Sequence, residues 1–352
     1  MKFYKLILIG IILLLTTTAS AATYYVDNQN PQANDLNPGT DELPWKTIQH
    51  AANLMQAGDT VLVQPGTYAE RISTKANGAQ GNYITFSANG KAIANGFDVM
   101  HGYITIRGFE ITGNSAGKWG KAINIYPSAN NINILDNYIH DLGLYIYGIY
   151  FARNGGRPDQ AAQNVLIKGN TLKSLNYTML HMYGANHTVE FNTFDTSNGW
   201  DAVRIFGTNN TIRNNKFSHI DDVPGIPEHA DILQIYGLEH EDSYDNVFEK
   251  NFVMDSNAQI VFVTSWPGVN IGNWIFRNNV YYDVNWEGQM SVTMHWYNNT
   301  FYLCSRVNQA HALYFSSRLG TYGSADNSDL KNNVFLMCGR DPSKTIFGWY
   351  EA

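Results

Sequence analysis

Asp201-Ala202-Val203-Arg204-Ile205-Phe206-Gly207 and Asp231-Ile232-Leu233-Gln234-Ile235-Tyr236-Gly237 are two versions of one phrase. Each opens on Asp, alternates aliphatic residues with other types, and runs through an aromatic to Gly. Alternation with a period of two marks a strand. Between the copies runs His219-Ile220-Asp221-Asp222-Val223-Pro224-Gly225-Ile226-Pro227-Glu228-His229, dense in ionisable groups. A strand that recurs almost unchanged points to a repeated structural unit.

A second phrase fixes the period. An apolar residue, two variable residues, Asn, any residue and an apolar residue recur as Ile134…Asn137…Ile139, Ile167…Asn170…Leu172 and Val189…Asn192…Phe194. The series continues through Asn215, Asn251, Asn279, Asn299 and Asn333, with successive spacings of 33, 22, 23, 36, 28, 20 and 34. An earlier version, Ile106…Phe109…Ile111, lacks the Asn. The short spacings define the unit and the long ones add loops, which predicts a β-solenoid. Each Asn is expected at a bend, with stacked amides forming a hydrogen-bonded ladder.

The twin phrases then belong to one strand position in successive coils. Ala122–Tyr126, Gly148–Phe151, Met179–Tyr183, Gln259–Phe262, Gln289–Val292 and Ala312–Phe315 are the other versions. Alternation sends Ile123, Ile125, Ile149, Phe151, Leu180, Met182, Val203, Ile205, Leu233 and Ile235 to the core. The complementary outward stripe is Asn124, Tyr150, His181, Arg204, Gln234, Val261, Ser291 and Tyr314. Insertions flank it on both sides, which predicts a groove.

Composition agrees. The 352 residues contain 15% charged and 13% aromatic types, with 30 Gly and abundant Asn, as expected for an all-β chain with many turns. Lys2 and Lys5, an apolar run from Leu6 to Leu15, and Ala19-Ser20-Ala21 predict a signal peptide over 1–21. The net charge of −7 becomes −9 once those two lysines leave. The chain has no basic run, so no nucleic-acid partner is expected. No membrane contact is expected after leader removal. Secretion and a monomeric state are expected. Residues 22–352 read as one domain, with 22–70 as an N-terminal cap region that includes a helix over Thr47 to Gln56. Lys344 to Ala352 read as the beginning of a further coil, with the expectation of an incomplete C-terminal end. Cys304 and Cys338 occupy matching phrases, which leaves a disulfide or two stacked thiols open.

The N-terminal phrases carry a resemblance. Tyr24-Tyr25-Val26-Asp27, Asn37-Pro38-Gly39-Thr40, Pro44-Trp45-Lys46-Thr47-Ile48-Gln49, Ala57-Gly58-Asp59-Thr60-Val61 and Pro65-Gly66-Thr67-Tyr68 resemble those of secreted proteins of the pectin-lyase-like superfamily. The Asn repeat extends the likeness to about residue 340. The resemblance implies an all-β, single-stranded right-handed parallel β-helix with an N-terminal capping helix, acting on a polysaccharide. The superfamily includes lyases, hydrolases, epimerases and proteins without known catalysis. Its chondroitinase B and alginate lyase members typically use a Lys and an Arg beside Ca²⁺. Here the central coils offer Arg204 without a matching Lys.

β-Elimination from a uronate needs a base for the C5 proton, a cation for the carboxylate and an acid for the leaving oxygen. The catalytic candidates are His181, Arg204, Asp231 and His229. Asn124, Tyr150, Arg153, Tyr183, Gln234, Tyr236 and Trp266 are candidates for sugar binding. Asp201, Asp231 and Glu228 are candidate Ca²⁺ ligands. The two Asp are expected to stack about 4.8 Å apart in turns. They serve equally well as turn caps, or as the carboxylate pair of a hydrolase. A non-catalytic glycan-binding solenoid needs only the groove and its aromatics.

Overall fold

The computed structural model describes residues 21–113, 120–154, 160–225, 229–237, 242–265, 268–286, 288–290, 292–304, 313–316, 327–336, 338 and 347–350. Its strands stack in parallel, coil upon coil. Twelve of them, from Thr23–Val26 to Asp329–Lys331, form one sheet in sequence order. A second face stacks Glu110–Gly113, Tyr138–Leu142, Thr171–Leu175, Thr193–Asn198 and Lys216–Asp221. A third stacks Lys121–Ile125, Tyr147–Phe151, Leu180–Met182, Val203–Ile205 and Asp231–Gly237. The long strand Phe252–Ser265 continues both the second and the third faces. Among the described residues no helix is long and apolar enough to cross a membrane.

Chain direction changes where backbone conformation demands it. Asp136, Phe191, Asn214, Lys250, Asn278, Asn298 and Asn332 have φ between 53° and 56° or 57°, in the left-handed region, as does Gly169 at 70°. Each immediately precedes a repeat Asn. Asn131, Asn164, Asn186, Asn209, Asp245, Asn273 and Asn327 repeat this six residues before an Asn. Asp141, Ser174, Thr196, His219, Asp255, Asp283 and Leu303 repeat it four residues after. Three left-handed residues therefore bend most coils, and the Asn299 coil has two, Asn298 and Leu303. Asn and Asp suit the first of these bends because their short polar side chains tolerate αL.

The ladder forms as the repeat implies. Asn137 N–H and Nδ2–H donate to Asn170 Oδ1 at 2.9 and 3.0 Å. Asn170 does the same to Asn192, and the series runs unbroken to Asn333. Even the coil without the Asn joins it, since Phe109 N–H donates to Asn137 Oδ1 at 3.0 Å. The sequence did not disclose a second ladder at another corner. There His187 N–H donates to Asn210 Oδ1, and Asn210 N–H to Asn246 Oδ1, both at 2.9 Å.

All ten expected core residues, Ile123 to Ile235, are fully buried. Ring stacking continues the order along the interior. Phe194 and Phe217 lie 4.8 Å apart and nearly parallel, and Phe276 and Trp296 lie 4.2 Å apart. The helix spans Ile48–Leu54, shorter than expected, because Met55 takes an extended ψ of 142°. Thr47 caps it, and Ile48, Ala51, Ala52 and Met55 are buried. The last strand, Phe347–Tyr350, pairs in parallel with Leu313–Ser316 and so adds a rung. Cys304 and Cys338 are free thiols in adjacent coils, placed by the Phe301–Phe335 register.

Candidate functional site

Strand register places the outward stripe on the third face. Asn124 pairs with Tyr150, Tyr150 with His181, His181 with Arg204, and Arg204 with Gln234. In the next two coils the expected register is wrong, and it is met again at Tyr314, which pairs with Gln289. Phe262, not Val261, follows Gln234, and Gln289, not Ser291, follows Phe262. Val261 pairs with the core residue Leu233 and is fully buried. Ile260, Val261, Phe262 and Val263 are all apolar, so this phrase carries no alternation to mark which residue faces out.

Three residues earlier in each coil lies a parallel stripe that the sequence reading did not isolate. Its members are Lys121, Tyr147, Thr178, Asp201, Asp231 and Gln259. Asp201 and Asp231 do stand at one position, as the repeat implied, and Asp231 N–H donates to Asp201 Oδ1 at 3.2 Å. Asp201 precedes its strand, but Asp231 is the first residue of the strand Asp231–Gly237, which corrects the expectation that both lie in turns. Their side chains are 1% and 0% exposed.

Each carboxyl faces a basic side chain supplied by the chain. Arg204 sets Nε at 2.9 Å and Nη2 at 2.5 Å from Asp201 Oδ2. This forked contact raises the guanidinium's pKa against the opposing effect of burial. His229 Nδ1 lies 3.0 Å from Asp231 Oδ2. Burial pushes the Asp231 carboxyl well above the ordinary carboxylate range, opposed by His229 and reinforced by Asp201. The Asp231 contact in turn raises His229. A Ca²⁺ ion between Asp201 and Asp231 would compete with Arg204 and His229. Among the described residues no cluster of three His, Cys, Asp or Glu can hold a metal. Glu228 lies outside the described residues, as do Trp266 and the Tyr236 side chain.

His181 is the centre of an aromatic enclosure. Its ring centroid is 5.3 Å from Tyr147, 5.0 Å from Tyr150, 5.0 Å from Tyr183 and 5.3 Å from Phe206. Both its nitrogens are sealed from solvent and lack a hydrogen-bond partner. Burial lowers its pKa well below the ordinary imidazole value, helped by Arg204, Arg153 and Lys121. The ring is therefore neutral at physiological pH. Arg153 stands 4.7 Å over the Tyr183 ring, and Lys121 stands 5.0 Å over Tyr150.

The rings divide by exposure. Tyr183 and Phe206 are 4% and 2% exposed and serve as walls of the enclosure, so Tyr183 offers no open sugar-stacking face. Tyr147 and Tyr150 are half-buried and reach the surface. Tyr147 meets the hydroxyl of Tyr177 at 3.4 Å, and burial raises its pKa, so the phenol stays protonated. Tyr147 was legible as the residue three before Tyr150, the offset that separates Asp201 from Arg204.

Unsatisfied polar atoms gather on this face. Buried side-chain oxygen or nitrogen atoms of Asn124, Thr178, His181, Gln234 and Gln259, and Asp231 Oδ1, have no hydrogen-bond partner, and all belong here. Native proteins leave few such groups, so their concentration marks a functional surface. A separate cleft of about 420 Å³, lined by residues such as Lys250, Tyr297 and Asn332, lies at the Asn corner away from His181. Its charges are largely matched, Arg277 with Glu249 and Lys331 with Asp329. The unsatisfied face is therefore the stronger candidate.

Comparison with known proteins gives the setting. The profile of the family described as "Right handed beta helix region" matches residues 121–305, more than half of the chain. A family described as a "Protein of unknown function" matches residues 32–78. The uncharacterized protein YwoF of Bacillus subtilis (strain 168) is 30% identical over 135 residues, which make up 32% of this chain and 28% of that protein. The chain thus spans well under a third of that relative's length. Among solved structures, PfbA, a surface adhesin of Streptococcus pneumoniae, superposes with a TM-score of 0.60 at 14% identity, over 84% of this chain and 88% of that one. A rhamnogalacturonan lyase gives 0.52 at 14% identity, over 91% and 86%. A lacto-N-biosidase from Eubacterium ramulus gives 0.53 at 14% identity, over 90% and 68%.

Proposed function

Because the chain belongs to the right-handed β-helix family of the pectin-lyase-like superfamily, we propose that it is an extracellular lyase that cleaves a uronate-containing polysaccharide by β-elimination. The observation that carries this reading is a neutral, unpartnered imidazole, His181, one coil from the Asp201-anchored guanidinium of Arg204. In the proposed step, His181 accepts the C5 proton. The electrons form the C4–C5 double bond, the C4–O bond breaks, and the leaving oxygen takes a proton from the Tyr147 phenol. Arg204 neutralises the uronate carboxylate and the charge that develops on it. A sugar gains access to His181 when the half-buried Tyr150 ring swings aside. No step requires a metal.

The burial of Asp201 and Asp231 weighs against the hydrolase alternative. Both are 1% exposed or less, and each is engaged by a basic side chain, Arg204 or His229. The test is incubation with a panel of polyuronates, with and without chelator. New ultraviolet-absorbing unsaturated ends, insensitive to chelator and lost in His181→Ala and Arg204→Ala, are expected. New reducing ends without absorbance would establish hydrolysis instead. Binding without product would make the protein a glycan-binding module.

A further inference from the structure

We infer that this face accepts a 1→4-linked uronan with diequatorial linkages, lying along the stack and presenting the same edge at every second sugar. This rests on the lyase reading of the same face and adds the geometry of the substrate. The outward stripe alternates coil by coil. Asn124, His181 and Gln234 are recessed, at 8%, 5% and 5% exposed. Between and beyond them Tyr150, Arg204 and Phe262 stand higher, each only partly buried.

The recessed positions share a second property. Asn124 Oδ1, both nitrogens of His181 and Gln234 Oε1 have no hydrogen-bond partner. A buried polar group left unpaired is costly, and three such side chains at alternate positions of one stripe require a common explanation. An amide reaches a ligand hydroxyl by a turn of its side chain. Coils repeat roughly every 4.8 Å, so equivalent recesses recur roughly every 9–10 Å. A flat, two-fold 1→4 chain with diequatorial linkages repeats its environment at about that interval, once per two sugars. A chain with diaxial linkages buckles at each bond and loses step with the recesses. The raised members fit the rest of the ligand, with rings at Tyr150 and Phe262 for sugar faces and Arg204 for a carboxylate.

The experiment compares oligomers of equal charge and length. Mannuronate and glucuronate oligomers supply diequatorial linkages, and guluronate and galacturonate oligomers supply diaxial ones. Binding is measured in a His181→Gln background, and initial rates with the unmodified protein provide the second readout. Affinity for the diequatorial series is expected to rise in steps of two residues. It should exceed that for the diaxial series on the order of tenfold at six residues. Asn124→Ala and Gln234→Ala should each weaken six-residue ligands on the order of tenfold and leave two-residue ligands unaffected. Tighter binding of the diaxial series, or an equal gain for each single residue added, would overturn the inference and leave the lyase reading standing. Failure of all four series to bind and to react would overturn both.

Discussion

Arg204 places two of its nitrogens on a single oxygen of Asp201, at 2.9 and 2.5 Å, while the other oxygen of Asp201 accepts the N–H of Asp231. One buried carboxylate thus orients the guanidinium and ties it to the next coil. Asp201→Asn keeps an acceptor for the Asp231 N–H and removes the charge that balances Arg204. The variant is expected to lose turnover on polyuronate by more than tenfold and to melt at lower temperature. Arg204→Lys should lose activity nearly as fully, because an ammonium cannot reproduce the fork. Initial rates and thermal melts of both variants check this.

Asn215 is an interior rung. It accepts from Asn192 N–H and Nδ2–H, and it donates to Val189 O and Asn251 Oδ1. Asn215→Ala leaves buried donors and an acceptor on both sides without partners. A loss of about 2–4 kcal/mol is expected in urea unfolding. Asn333→Ala, whose rung bonds are only partly buried, should lose less.

His187 sets an acid limit. Val165 N–H donates to its Nδ1 at 3.1 Å, and its Nε2 lies 2.9 Å from the Tyr183 carbonyl. This arrangement needs a neutral ring with the proton on Nε2. Burial lowers its pKa to about 4. A depressed folded pKa means that His187's contribution is full above the unfolded value of about 6.5 and is lost as pH falls towards 4. The loss is on the order of 3 kcal/mol. His181 shifts in the same direction, and His229, whose pKa is raised, shifts in the opposite one. Melting temperature should therefore fall between about pH 6.5 and 4. A His187→Gln variant should start lower at neutral pH and show a flatter slope.

The two thiols should react unequally. The hydrogen bond with Cys304 pulls the Cys338 thiol down to about 7, and Cys304 moves in the opposite direction. Cys304 is also 3% exposed. Iodoacetamide at neutral pH is expected to label Cys338 well before Cys304, as read by peptide mass spectrometry. Equal labelling would show that Cys338 is not the more acidic and accessible of the two thiols.

The Asn repeat disclosed the fold because one position does the same work in every coil. Asn137 through Asn333 all accept from the preceding coil, so selection for one bond wrote one letter repeatedly. The outward stripe was legible to Gln234 because aliphatic residues alternate with other types inside each phrase, as in Leu180-His181-Met182 and Leu233-Gln234-Ile235. It failed at Val261 because Ile260-Val261-Phe262-Val263 is apolar throughout, so alternation there names no outward residue. His187 stood five residues before Asn192, as Asn210 and Asn246 stand before Asn215 and Asn251. Its change of residue type concealed the second ladder. The enclosure around His181 was out of reach for another reason. Tyr147, Tyr183 and Phe206 converge from three coils, and nothing in any one phrase tells whether a ring will wall a site or face solvent.

The corner before the second face is always two residues long, from Gly108-Phe109 through Asp136-Asn137 to Asn332-Asn333. All variation in coil length is accommodated elsewhere, in segments that leave this edge untouched. The protein is thereby split into a fixed spine and interchangeable outgrowths. A new specificity would then require exchanging a loop, with no redesign of the fold.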